Sequence, residues 1–234
     1  MKLSVEQIEQ LFTFTKKHFV EHYDVQVELV DHLANAIEDQ WKENPNILFE
    51  DALQTEFKKF GVFGFTGLVE QKQAQLHKYY NKMLWNEVLR FVSIPKVIIT
   101  AVFYLGIFYL LNYYTYWAEN VLLAIMFISF LYLTIDGFRF MLIIKKEQKN
   151  KQRTWLIQSV AQSVFSLPII GFGGFYFNMF GHFFESSNEL SVLGMHFLSL
   201  FFLLHFILFH VFFKIIKPKF KNEIRQTEKR FQFV

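Results

Sequence analysis

The sequence contains no cysteine in 234 residues, and it holds only ten glycines and four prolines. Without cysteine there is no disulfide, no thiolate nucleophile and no cysteine-ligated iron–sulfur cluster. Few glycines and prolines leave few places where a helix must break. Charged residues are also scarce, at 19%, and two stretches, 114–119 and 178–189, contain neither Lys nor Arg. No Gly-rich phosphate loop and no G-x-S-x-G nucleophile elbow is present. The opening Met1-Lys2-Leu3-Ser4 leads into a polar, amphipathic stretch rather than the apolar run of a cleaved export signal.

What the chain has is apolar surface. Hydrophobic residues make up 53% and mean hydropathy is +0.22. A helix needs about 20 predominantly apolar residues to cross a bilayer. Four segments meet that requirement, at about 95–113, 120–144, 155–177 and 190–213. Charge is segregated along the chain. Residues 1–80 carry eight Lys/Arg and thirteen Asp/Glu, a net of −5, and residues 81–234 carry sixteen and eight, a net of +8. The loop between the second and third segments contains Lys145, Lys146, Lys149, Lys151 and Arg153. The tail contains Lys214, Lys217, Lys219, Lys221, Arg225, Lys229 and Arg230. Only Glu119, Glu185 and Glu189 are charged in the other two loops. Basic residues accumulate on the cytoplasmic side, so the pattern predicts four spans with both termini cytoplasmic. Tyr113, Tyr114, Tyr116 and Trp117 fit an outer aromatic belt, with Trp85 and Trp155 at the inner face.

Residues 1–92 read as a helical cytoplasmic domain with a connecting helix. Ser4-Val5-Glu6-Gln7 is a capping box, followed by Val5, Ile8, Leu11, Phe12 and Phe19 at helical spacing. A second helix, about 24–42, has the apolar face Val30, Leu33, Ile37 and Trp41 and the acidic residues Glu28, Asp31, Glu38 and Asp39, which are candidates for a partner surface. Asn44-Pro45-Asn46 ends it. A third, about 49–60, turns Phe49, Ala52, Leu53, Phe57 and Phe60 inward and stops at Gly61. A fourth runs from about Thr66 to Val92, where Ser93-Ile94-Pro95 interrupts it. The fourth helix is thus expected to link the domain to the first span. Residues 214–234 form a basic cytoplasmic tail.

These residues carry a resemblance. Tyr23-Asp24-Val25-Gln26-Val27-Glu28-Leu29-Val30-Asp31-His32-Leu33, then Ile37-Glu38, then Phe49-Glu50-Asp51-Ala52-Leu53, then Phe57-Lys58-Lys59-Phe60-Gly61, resemble the HAAS domain, an α-helical signalling domain of bacterial membrane proteins. The resemblance covers about residues 4–75. It implies a regulatory role, a bacterial inner-membrane location and a protein partner such as a PadR-like regulator. Gly61-Val62-Phe63-Gly64 departs from the Gly-Asp-Pro frequent at that point of the family.

Several side chains are candidates for chemistry. His18-Phe19-Val20-Glu21-His22 fits the H-x-x-E-H zinc-protease pattern, in which two His four apart on a helix share a metal. The favoured alternative is a chance match near a helix end, since no third ligand follows. Asp136 and Arg139 are ionisable residues in the second span, spaced for an intrahelical pair. Gln158, Ser159, Gln162, Ser163 and Ser166 form a polar stripe on the third span. Such stripes usually hydrogen-bond neighbouring helices, and less often line a path. Lys145, Lys146, Lys149, Lys151, Arg153, Lys217, Lys219 and Lys221 are expected to face anionic lipid. His196, His205 and His210 on the fourth span read as packing residues.

The reading is therefore an all-α protein, with an N-terminal cytoplasmic bundle on a four-helix transmembrane domain. Its expected role is non-enzymatic regulation or scaffolding through protein contacts, with no cofactor. The partners expected are membrane lipids, another membrane protein or a PadR-like regulator, and a second copy of the chain, without direct nucleic-acid binding. Two alternatives stand beside it. One is a membrane enzyme or metal-binding protein on His18, Glu21 and His22, and the other is a small transporter or channel using Asp136 and the polar stripe.

Overall fold

A computed structural model describes residues 2–166, 173–174 and 191–231, with the backbone alone at 115, 116, 118 and 119. Helices dominate, and among the described residues there is no strand, only one isolated parallel bridge between His22 and Thr154. The helices are α1 (Val5–Lys17), α2 (Tyr23–Glu43), α3 (Phe49–Lys58), α4 (Phe65–Leu89), α5 (Lys96–Tyr113) and α6 (Thr115–Lys151). A helix over 156–166 is α7. It is followed by α8 (Val192–Val211), a π turn (Phe212–Ile216) and α9 (Lys217–Arg230).

The chain divides into two compact units. The first comprises 1–78, 146–160 and 223–234, and the second 79–145 and 161–222. The first unit thus includes the basic loop and the end of the tail as well as the N-terminal helices.

In the first unit, α1 begins at the capping box: Ser4 Oγ accepts the Gln7 amide at 3.3 Å, and Gln7 Oε1 accepts the Ser4 amide at 2.9 Å. Two otherwise orphaned helix-end amides are satisfied within one turn. Leu11, Val25, Leu29, Val30, Leu33, Ile37, Trp41, Phe49, Ala52 and Leu53 form one buried core, and Leu156 belongs to it. Burial of that apolar surface is the main force holding these short helices together, because isolated helices of this length are marginal. Val5 and Phe19, expected on the apolar face of α1, are exposed at 75% and 76%. Val5 lies on the solvent side of α1, while Leu3 and Ile8 on either side of it pack against the core, and Phe19 adopts a left-handed conformation (φ 64°) in the turn after α1. Gly61 (φ 72°) and Gly64 (φ 52°) make the turn between α3 and α4, where a side chain would be strained.

In the second unit, Ile107, Leu111, Leu123, Met126, Met195, Leu198 and Phe202 pack α5, α6 and α8 together. Among the described residues, three helices are long and apolar enough to cross a membrane, at Lys96–Tyr113, Asn120–Lys151 and Val192–Arg230. They correspond to the first, second and fourth segments expected from sequence. Of the third, about 155–177, the helix 156–166 and residues 173–174 are described, while 167–172 and 175–177 lie outside the described residues. The outer faces of these helices leave large apolar side chains uncovered, for example Ile99 at 71% and Val102 at 66%. Asp136 on α6 pairs with Lys217 at the start of α9, not with Arg139, which is exposed. The π turn adds a residue to the helical count just before Lys217, which rotates the following positions relative to an uninterrupted helix.

Candidate functional site

Among the described residues, a cluster of polar contacts lies in the first unit, where the α1–α2 junction meets residues 153–159. α1 ends at Lys17 and α2 begins at Tyr23, so the chain between them is a turn. The incoming loop satisfies two of the backbone groups at this junction. The Tyr23 amide donates to the Thr154 carbonyl at 2.8 Å, and the Thr154 hydroxyl donates to the Glu21 carbonyl at 2.6 Å. Together these close the bridge between His22 and Thr154.

Asp24 completes the junction. It lies in the first turn of α2, where a carboxylate complements the positive end of the helix dipole. The same carboxylate accepts the Leu156 amide, at 3.1 Å to Oδ1 and 3.4 Å to Oδ2. Leu156 is the first residue of α7, so Asp24 caps the N-terminus of a second helix 132 residues away in sequence. Gln158 supplies the neighbouring cap: its Oε1 accepts the Trp155 amide at 3.1 Å and the Gln148 side-chain amide at 3.1 Å. Burial pushes the Asp24 carboxyl above its usual value, opposed by the Leu156 amide and by His22.

His22 Nε2 lies 2.9 Å from Ser159 Oγ, while Nδ1 is buried without a partner among the described residues. A proton on Nδ1 would be an unsatisfied buried donor, so the arrangement favours the neutral ring with Nε2–H donating to Ser159. Burial also holds the His22 pKa below its ordinary value, against the pull of Asp24 and Glu21. Around this core, Arg153 lies over the Tyr23 ring at 4.0 Å. Tyr23 meets Trp155 edge-on at 5.7 Å, and Trp155 stacks on Phe231 at 5.6 Å. The junction behaves as a latch: backbone, caps and aromatic contacts tie the helical domain to the start of α7.

The zinc-protease pattern does not survive this geometry as a helical pair, because the helix it requires is interrupted between His18 and His22. His18 closes α1: its Nδ1 lies 2.8 Å from the Phe14 carbonyl, and its ring packs between Phe14 and Phe57 at 4.1 and 4.3 Å. Glu21 contributes its carbonyl to the latch. Among the described residues no group of three His, Asp or Glu side chains could hold a metal ion.

The acidic residues of α2 are placed elsewhere. Glu28 pairs with Lys72 at 2.7 Å and Asp39 with Lys42 at 2.8 Å. Glu38 accepts the Leu3 amide at 3.1 Å, and Asp31 is exposed. Among the basic residues, Lys151 pairs with Glu228 at 2.7 Å. Lys219 donates to the Tyr79 hydroxyl at 2.7 Å. Lys145, Lys146, Lys149, Arg153 and Lys221 are exposed. The polar stripe does not act as one set. Gln158 and Ser159 belong to the latch. The Ser166 hydroxyl donates to the Ser163 carbonyl at 2.8 Å, and Gln162 Nε2 is buried without a partner among the described residues.

Sequence reading missed Asp24 and Thr154 as site residues. A contact across 132 positions leaves no local signal, although the Trp155-x-x-Gln158 spacing marks a helix start. Searches of protein-family models, curated proteins and solved structures find no match to this chain.

Proposed function

We propose that this chain is a multi-span membrane protein of regulatory or scaffolding type, whose helical domain controls the segment leading into its third span. On this reading there are four spans, with both termini on the cytoplasmic side of a bacterial inner membrane. Three long apolar helices with uncovered outer faces support the membrane assignment. The distribution of Lys and Arg supports the orientation. The observation that carries the regulatory part is the Asp24 cap on Leu156. A carboxylate borrowed from another element to start a helix makes that start depend on the docked state of the domain. A HAAS-like character of residues 4–75 agrees with such a role. Partner binding on the exposed surface of α2 around Asp31 would act by tightening or releasing the latch.

Site-specific photo-crosslinking from Asp31 in intact cells tests the proposal. The expected result is one defined protein captured, with the yield changed several-fold by Asp24→Ala. Crosslinks that are equal in both chains contradict regulation through the latch. Stoichiometric zinc in the purified protein, lost in His18→Ala, would favour the metal-enzyme alternative instead.

A further inference from the structure

Beside the latch, and within the same unit, lies a cavity of about 620 Å³. That volume falls in the range of small-molecule sites. Four cations line it, Lys151, Arg153, Arg225 and Lys229, against the single carboxylate of Glu228. Glu228 is already committed to Lys151 at 2.7 Å. Arg153, Arg225 and Lys229 form no ion pair among the described residues. Arg225 and Lys229 stand one turn apart on α9, where like charges repel each other. The Arg153 guanidinium carbon lies 4.0 Å from the centre of the Tyr23 ring, and a guanidinium so placed keeps N–H donors for an acceptor.

The remaining wall is aromatic. Trp155 and Phe231 line the cavity and stack on each other at 28°. The Trp155 indole N–H is buried and has no acceptor among the described residues. Uncompensated cations around an aromatic wall match a ligand that is anionic at one end and apolar or planar at the other.

We propose that this cavity binds an organic phosphate. The phosphate sits among Arg153, Arg225 and Lys229, and the attached apolar or planar group lies against Phe231 and Trp155. Guanidinium groups suit the geometry of phosphate oxygens. Occupancy would join residues 151–155 to α9 and so brace Thr154 in the latch. The proposal goes beyond the regulatory reading and does not depend on it. The phosphate belongs either to a free phosphomonoester or to a lipid headgroup, and the two sources separate in the test.

The full chain is placed in phosphatidylcholine nanodiscs at fixed ionic strength. In one arm, phenyl phosphate and inorganic phosphate are titrated by calorimetry. In the other, phosphatidic acid replaces part of the phosphatidylcholine and the thermal midpoint is followed. The expected result is saturable binding of phenyl phosphate, tighter than that of inorganic phosphate, or saturable stabilisation by phosphatidic acid. A response in the first arm identifies a free ligand, and one in the second alone identifies a headgroup. In the Arg225→Gln/Lys229→Gln variant, whose substitutions lie on an exposed helix face, the response weakens at least tenfold. Arg153→Gln weakens it independently. Absence of a saturable response in both arms overturns the proposal, as does an undiminished response in both variants.

Discussion

The Asp24 carboxylate lies in the first turn of α2 and accepts the Leu156 amide at 3.1 Å, so its removal affects two helix ends at once. Asp24→Ala leaves the Leu156 amide without its acceptor, and loss of such a cap costs about 1–2 kcal/mol. Hydrogen exchange at Leu156 is expected to accelerate roughly tenfold, since about 1.4 kcal/mol is a factor of ten, while Leu33 in the domain core stays protected. Equal protection of Leu156 in both chains would deny Asp24 this role. His22 gives the latch a pH dependence. Its pKa is lowered from 6.5 by burial, so the folded latch favours the neutral ring. A depressed base contributes stability that is full above its unfolded value and is lost as pH falls through the folded one. The raised carboxyl of Asp24 acts in the opposite sense, since burying its charge costs stability that is recovered when it protonates. Exchange at Leu156, taken relative to its intrinsic rate at each pH, should rise as pH falls below the unfolded His value of 6.5. In His22→Gln, which takes no proton, that rise should flatten. An unchanged profile would remove His22 as its source.

At the scale of elements, the Asp136–Lys217 pair joins α6 to α9, and both side chains are largely covered, at 23% and 16% exposure. Breaking a buried pair by removing one partner strands the other charge and typically costs about 3–5 kcal/mol, whereas replacing both partners is far milder. Thermal denaturation should therefore rank Asp136→Asn below Asp136→Asn/Lys217→Met. The reverse order would mean that the pair does not bear on stability. Much of the element structure was legible in the sequence because its causes are local. The capping box at Ser4, the buried face Val30, Leu33, Ile37 and Trp41, and the break near Pro95 all come from neighbours a few residues apart. The pairing of Asp136 was not legible. Spacing pointed to Arg139, while the chosen partner lies 81 residues away and follows a π turn that no spacing rule anticipates. The helical spacing of His18 and His22 does not place them on one helix face, because the backbone at Phe19 is left-handed.

At the scale of the molecule, charge and hydropathy set the expected path through the membrane. Reporter fusions at Lys149 and at the C-terminus should read cytoplasmic, and one at Ser187 periplasmic. A periplasmic signal at Lys149 would overturn the four-span topology. The opposite net charges of residues 1–80 and 81–234, −5 and +8, would let the acidic domain meet the basic loop through exposed charges. Within the first unit the contact is instead made by backbone groups, a capping carboxylate and aromatic rings. Such contacts are less sensitive to screening than exposed ion pairs. The central claim is that the helical domain is latched to residues 153–159 as one body. Because the chain has no cysteine of its own, spin labels at Asp31→Cys and Lys149→Cys, both exposed positions of this unit, report on it without interference. In bilayers, a single narrow distance distribution is expected that changes little with salt and broadens in Asp24→Ala. A broad distribution in the otherwise unaltered chain, with Asp24→Ala making no difference, would contradict the latch.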